Sequence, residues 1–455
     1  MNNAVTDAVA DLCRGVDTDP AAELHVAGTE PVLTSPYRVD AAAAATVAAA
    51  TLAAGRLWQA RGGPAPTVRV DVRHAALAFR SERYLRVDGR APAVWADLSG
   101  DYRAADGWVR LHANYPAHRE AITRALGVPE DRERVAAAVA ERGAVEVEDT
   151  VVAVGGAAAA LRTPAAWAEH PQGRTVAGLP LVAMERLGDA PARPLPAGDR
   201  PLDGVRVLDL TRVIAGPVAG RTLAAHGADV LRVGADHLAL VPALVVDTGF
   251  GKRFTHLDLR TEPGRDALRE LIRGADVLLQ AYRPRALEAL GFGPRECAAL
   301  RPGLVYVSIS AWGQDGPWRQ RRGFDSLVQL ATGIAWNDGA AVALPSQLLD
   351  HGTGWLAAMA AMVGLHRRHT VGGSWHARLS LARTARWLDG LGRASSAGSP
   401  TGEPAYPDDL MSRMDSDFGV LDHVRPPGAL DGYTPRWDTP PRRPGADAPA
   451  WATAR

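Results

Sequence analysis

Asp350 stands in Leu-Leu-Asp350-His-Gly-Thr-Gly-Trp, where an Ala-rich helical stretch begins. A carboxylate there can cap the helix, a role in which Asp is favoured and contributes roughly 1 kcal/mol. It can also act as a nucleophile. From these neighbours alone the cap is the better reading. A second stretch runs Asp209-Leu-Thr-Arg-Val-Ile214-Ala215-Gly216-Pro-Val-Ala-Gly220. Small residues at a strand-to-helix turn let a ligand approach the backbone, and a helix N-terminus favours phosphate. The stretch is not Gly-x-Gly-x-x-Gly, and Pro217 removes an amide donor, so an ordinary nicotinamide dinucleotide site is not expected.

Lys252 is the one lysine among 51 basic residues. In a chain that otherwise uses Arg, a retained ammonium suits a tight anion contact, because it is a compact point charge. His366 and His369, near a helix end, read as a dipole-favoured terminus; without a third ligand nearby no metal is assigned. Arg319-Gln-Arg321-Arg322 lacks the aromatic interleaving of a nucleic-acid surface.

The elements that must position these residues alternate. Residues 205–210, 229–233, 276–281 and 304–311 read as short apolar strands, with helices over 218–226 and 262–273. Continuous apolar strands separated by helices predict a doubly wound α/β domain with a parallel sheet covered on both faces. Ahead of it lie an Ala-rich helix (41–59), an alternating strand (67–72) and a helix (75–83). Residues 106–187 read as a second, small α+β domain opening on the hairpin-like Asp106-Gly-Trp-Val-Arg-Leu, with Gly155-Gly156 a turn.

The expected organisation is an N-terminal segment at 1–84, the small domain at 85–190, a Pro-rich linker at 191–203, the large domain at 204–391 and a Pro-rich tail at 392–455 anchored by Trp437 and Trp451. Asp40, an Ala-rich helix, Gly62-Gly63 and a strand recur as Asp350, a helix, Gly372-Gly373 and a strand, with 22 residues from Asp to Gly-Gly in both. Residues 1–84 therefore read as a degenerate repeat of 350–390, with Asp40 a structural cap.

At 455 residues the chain has room for two to four domains, and 47% hydrophobic residues supply a core, which excludes wholesale disorder. Acidic and basic residues balance at 51 each, against a nucleic-acid coat or a polybasic membrane binder. Cys13 and Cys297 alone make neither a disulfide framework nor a thiolate metal site. The Ala-rich runs look too short and weakly apolar to span a bilayer, and the N-terminus lacks a signal peptide's basic start. A soluble cytoplasmic protein is expected.

One resemblance is specific. Val-Arg-Val-Leu-Asp209-Leu-Thr-Arg-Val-Ile-Ala-Gly216-Pro and His226-Gly-Ala-Asp229-Val resemble the opening of the family III CoA-transferases of the CaiB/BaiF type. In the family's order follow Gly251-Lys252-Arg253, Leu257-Asp-Leu, Ala275-Asp-Val, Tyr282-Arg283-Pro284, Leu304-Val-Tyr-Val-Ser308-Ile-Ser310, Gly313-Gln-Asp-Gly316-Pro317 and Arg322-Gly323-Phe324-Asp325.

The resemblance implies a CoA ester and a carboxylic acid as substrates, no tightly bound cofactor, no nucleic-acid or membrane partner, and a homodimer. It makes Asp350 the nucleophile of acyl-CoA:carboxylate CoA transfer through an aspartyl-CoA thioester, with amides of the glycine-bearing turn after it steadying the oxyanion. Ile214, Ala215, Gly216, Lys252, Arg253 and Arg283 become candidate CoA contacts. The alternatives are an acyl-CoA isomerase using another base and a non-catalytic CoA-ester binder.

The chain departs from the family pattern in three places. Phe324 occupies the position of the racemases' histidine and cannot move a proton. The segment from Arg232 to Pro242 is short. The small domain precedes the large one, as in a permuted or fused chain.

Overall fold

The computed structural model describes residues 3–19, 23–394 and 402–452; the ends of the expected N-terminal segment and tail at 1–2, 20–22, 395–401 and 453–455 lie outside the described residues. Its centre is a seven-stranded sheet of β1 (Ala183–Gly188), β2 (Arg206–Leu210), β3 (Asp229–Gly234), β4 (Lys252–His256), β5 (Val277–Gln280), β6 (Val305–Ser310) and β7 (Ser374–Ser380), ordered β4-β3-β2-β5-β6-β7-β1. Every pair is parallel except β7 with β1. Strands β5 and β6 are buried at every position, as expected of strands covered on both faces. Strand β1 lies inside the stretch expected to form the small domain, yet it closes an edge of the large sheet. An antiparallel edge strand needs no crossover helix, so strand–helix alternation gives no sign of it.

Chain order reverses at β2, where one branch runs through β3 and β4 and the other through β5 and β6. Such a switch point opens a crevice at the carboxyl ends of the strands. Helix α1 (Val39–Ala60) packs along α4 (Leu348–Val371), which also packs against α2 (Ala215–Ala225). Their Ala and Gly faces allow close approach: a Cβ added to Gly354 of α4 would meet the Ala215 carbonyl oxygen at 2.5 Å. Helix α1 is long and apolar enough to cross a membrane, contrary to the sequence expectation, but 89% of its most apolar window is buried inside the protein.

Both stretches read as repeats form helix–strand–helix: α1, the strand Thr67–Asp71 and the helix Val72–Ala78 in the first, and α4, β7 and the helix Leu381–Gly390 in the second. The small unit is the antiparallel sheet of Gly100–Arg103, Trp108–Leu111 and Ala158–Ala160 with helices Pro116–Leu126, Arg132–Ala140 and Ala144–Ala153 around a core of its own. The tail returns as Ala429–Leu430 beside Thr67–Asp71. Trp437 Nε1 donates to Arg221 O (2.8 Å) and Trp451 Nε1 to Leu271 O (3.0 Å), so both tryptophans hold the tail on the large domain.

Candidate active site

Two cavities meet at Asp350. The larger, about 720 Å³, lies at the carboxyl ends of the sheet strands and is lined by Arg212, Val213, Ala215 and Gly216 after β2, Tyr282 and Arg283 after β5, and Arg319, Arg321 and Arg322 after β6. The smaller, about 330 Å³, is walled by Pro92, Val94, Trp95, Ile214, Leu244 and Phe324, with Glu82, Asp325 and Gln347 beside Asp350. Val213, Phe324 and Asp350 line both. Val213 has φ 75°. A β-branched residue in that region is strained by about 1–3 kcal/mol, a cost found where a turn is constrained by function.

Asp350 sits in the first turn of α4, whose N-cap is Gln347. The capping reading therefore fails, because the carboxylate is already inside the helix. Its own amide donates to Asp325 Oδ2 (2.8 Å), and the other Asp325 oxygen accepts from Gln329 Nε2. Asp325, at the start of helix α3 (Asp325–Ala331), is thus the carboxylate fixed by donors. Burial first, then the charges of Asp325 and Glu82, push the Asp350 carboxyl well above the usual range.

The expected oxyanion turn after Asp350 is absent. Gly352 and Gly354 are helical, so their amides belong to the helix ladder. Free first-turn amides come instead from α2, which opens on Ala215 and Gly216 at the cavity wall. Gly216 is needed there because a Cβ would meet Thr211 at 2.3 Å.

The other expected contacts divide. Ile214, Ala215, Gly216 and Arg283 line the cavities. Lys252 does not: Nζ donates to Asp209 Oδ2 (2.8 Å) and Pro217 O (2.7 Å) in a pair that is at most 2% exposed. Burial, partly offset by Asp209, pulls its pKa down to about 8. Arg253 is committed to Asp229 (2.8 Å) and to the tail carbonyl of Ala450 (2.6 Å). Both leave the phosphate role for structural ones. Gly155 is a turn, φ 86°, whose carbonyl accepts from Arg322.

Several functional candidates were missed from sequence, Arg212 among them. The side chains of Arg212 and of the expected Arg283 form no hydrogen bond or ion pair with any described residue, so both are available to an anion. Arg232, only 4% exposed, has an unpartnered Nε and lies over the Phe254 ring at 4.3 Å. Burial lowers its pKa, and among its electrostatic neighbours Arg212, Tyr115 and Tyr282 all line the larger cavity.

From the N-terminal side come Glu82 and His112. Glu82 Oε2 lies 3.2 Å from His351 Nε2; burial raises its carboxyl, but His351 outweighs that and holds it low. His112 stacks on Phe324 at 3.6 Å with 5° between planes, and burial lowers it to about 3, a neutral imidazole. Asp40, by contrast, reaches neither cavity. It is not its helix's N-cap either: its carboxylate accepts from the amides of Val32 (2.6 Å) and Leu33 (3.3 Å), tying the preceding loop to α1.

A doubly wound sheet with a cationic crevice, an apolar cavity and a buried carboxylate between them is an α/β ligand-binding architecture with a candidate nucleophile at its switch point. The chain belongs to CoA-transferase family III: the model of that family matches residues 20–192 and again residues 202–396. An acyl-CoA transferase of Gibberella moniliformis is 29% identical over 69% of this chain and 64% of its own. A probable fatty acyl-CoA transferase of Mycobacterium tuberculosis is 33% identical over 38% of this chain and 48% of its own, and a formyl-CoA:oxalate CoA-transferase of Streptomyces avermitilis is 32% identical over 38% and 45%. The chain thus spans roughly half the length of these relatives. A crystal structure from Mycobacterium tuberculosis, 32% identical, aligns over 42% of this chain and 57% of its own with a TM-score of 0.40.

Proposed function

We propose that the chain transfers CoA between an acyl-CoA and a carboxylic acid, with Asp350 as nucleophile. The observation that carries this reading is the buried Asp350 carboxyl at the junction of a cationic and an apolar cavity. CoA phosphates meet Arg212 and Arg283, which line the larger cavity and bring unspent charge, while the acyl group enters the smaller cavity. The sequence of bonds is balanced without an added reactant. An Asp350 oxygen attacks the thioester carbonyl, the C–S bond breaks, and an acyl-aspartyl anhydride and CoA thiolate result. The thiolate attacks the Asp350 acyl carbon, releasing the first carboxylate and leaving an aspartyl-CoA thioester. An acceptor carboxylate opens that thioester to a second anhydride, from which the thiolate takes the new acyl group and frees Asp350.

The first-turn amides of Ala215 and Gly216 are the oxyanion donors in this reading. Residues 82–120 and 210–350, with Leu381, wall the two cavities. Asp350→Asn tests the proposal: the amide preserves shape but is a poor nucleophile, so transfer should be lost with the circular dichroism spectrum unchanged. Near-normal turnover would remove Asp350 from the mechanism.

A second reading, exchange of the acyl α-proton, is favoured by one observation. His112 brings an imidazole against Phe324, where the racemases carry theirs. Enzyme-dependent washout of an α-deuterium, lost in His112→Phe, would promote it above CoA transfer; retained label sets it aside.

A further inference from the structure

We infer that the smaller cavity selects uncharged aliphatic acyl groups of monocarboxylic acids and rejects acids bearing a second carboxylate. This rests on the CoA-transfer reading and specifies its substrate class. Pro92, Val94, Trp95, Ile214, Leu244 and Phe324 form the walls. Of the polar groups beside them, Asn114 is committed. Asn114 Oδ1 accepts from Ala96 N (3.0 Å) and Ser99 Oγ (2.8 Å), and its Nδ2 donates to Val94 O (2.9 Å). The His112 ring is stacked on Phe324 and neutral.

Charge decides the matter. Three carboxyl groups, Glu82, Asp325 and Asp350, face the cavity, against one cation, Arg83. Arg83 already has a carboxylate partner, Glu403, at 3.3 Å. A second carboxylate on the acyl group would therefore enter a chamber walled by apolar side chains, where carboxyl groups outnumber cations three to one. Gln347, which makes no hydrogen bond with its side chain among the described residues, is left to meet a neutral acyl oxygen. The volume of about 330 Å³ holds roughly ten heavy atoms at about 30 Å³ each. Chains of short to medium length fit.

The full chain is assayed with butyryl-, hexanoyl-, octanoyl-, hexadecanoyl- and succinyl-CoA, following both turnover and covalent labelling of Asp350. We expect kcat/KM for butyryl- to octanoyl-CoA to exceed that for succinyl-CoA by about a hundred-fold or more, with hexadecanoyl-CoA falling off. Val94→Arg, which adds a cation to the wall, should narrow the succinyl penalty at least ten-fold, and Leu244→Trp should shorten the longest chain accepted. Succinyl-CoA used as well as butyryl-CoA, with Asp350 labelled by both, would overturn the inference while leaving CoA transfer standing. If no thioester labels Asp350, the transfer reading fails, and equilibrium binding judges the cavity: octanoyl-CoA held at least ten-fold tighter than succinyl-CoA supports it, and equal affinity overturns it.

Discussion

Replacing Lys252 by Met separates a phosphate contact from a structural ion pair. The ammonium lies 2.8 Å from Asp209 Oδ2, with side chains 2% and 0% exposed, and its second acceptor is the Pro217 carbonyl. Removing one partner of a buried pair leaves an uncompensated charge, at a cost of about 3–5 kcal/mol. The Asp209 carboxylate keeps only its bonds from Thr211, which lie on its other oxygen. Lys252→Arg should also destabilise, because a Cβ on Gly220 would already sit 2.8 Å from Nζ and a guanidinium has no room. That space explains why this position keeps a lysine in an arginine-rich chain. The assay is equilibrium urea denaturation of wild type, Lys252→Met and Lys252→Arg, paired with acyl-CoA titration of the folded variants. Loss of stability with affinity within two-fold is expected. Unchanged stability with ten-fold weaker acyl-CoA binding would refute the reasoning and return Lys252 to the phosphates.

Other expectations follow from the same geometry. Arg283→Met should weaken acyl-CoA binding about ten- to a hundred-fold, the range for lost charge-assisted bonds, without lowering stability, since its side chain has no partner among the described residues to lose; calorimetric titration and a melting curve read the two. Asp40→Asn should leave turnover nearly intact, because Asp40 holds only backbone amides outside both cavities; an equal loss in Asp40→Asn and Asp350→Asn would contradict this. The Asp350 carboxyl is raised by burial, so its stabilising contribution is full below the unfolded carboxyl pKa and is lost as pH rises through the folded one. Asp350→Asn, which does not ionise, should therefore gain stability relative to wild type as pH rises above the unfolded carboxyl pKa, and the acid limb of the wild-type rate should shift to lower pH in Asp325→Asn.

The parallel sheet was legible because its strands are apolar runs between helices, and the elements expected at 205–210 and 304–311 emerge as Arg206–Leu210 and Val305–Ser310. Asp350, the Ile214–Gly216 turn and Arg283 reach the cavities because each sits at a strand or helix end that the topology directs to the crevice. Lys252 and Arg253 do not, since their partners Asp209 and Asp229 lie 43 and 24 residues away on other strands, a pairing that no local pattern reveals. Arg232 did leave a signal, a charge among the apolar residues of a strand buried at every position but its first. Glu82 and His112 left none, because only the packing of the preceding stretch against the sheet brings them to Asp350.

The central claim is that Asp350 becomes covalently acylated. Enzyme incubated with octanoyl-CoA, quenched with hydroxylamine and mapped by peptide mass spectrometry should carry an aspartyl hydroxamate at residue 350, absent from Asp350→Asn. Hydroxamate at another residue, or turnover with none at all, would contradict the account.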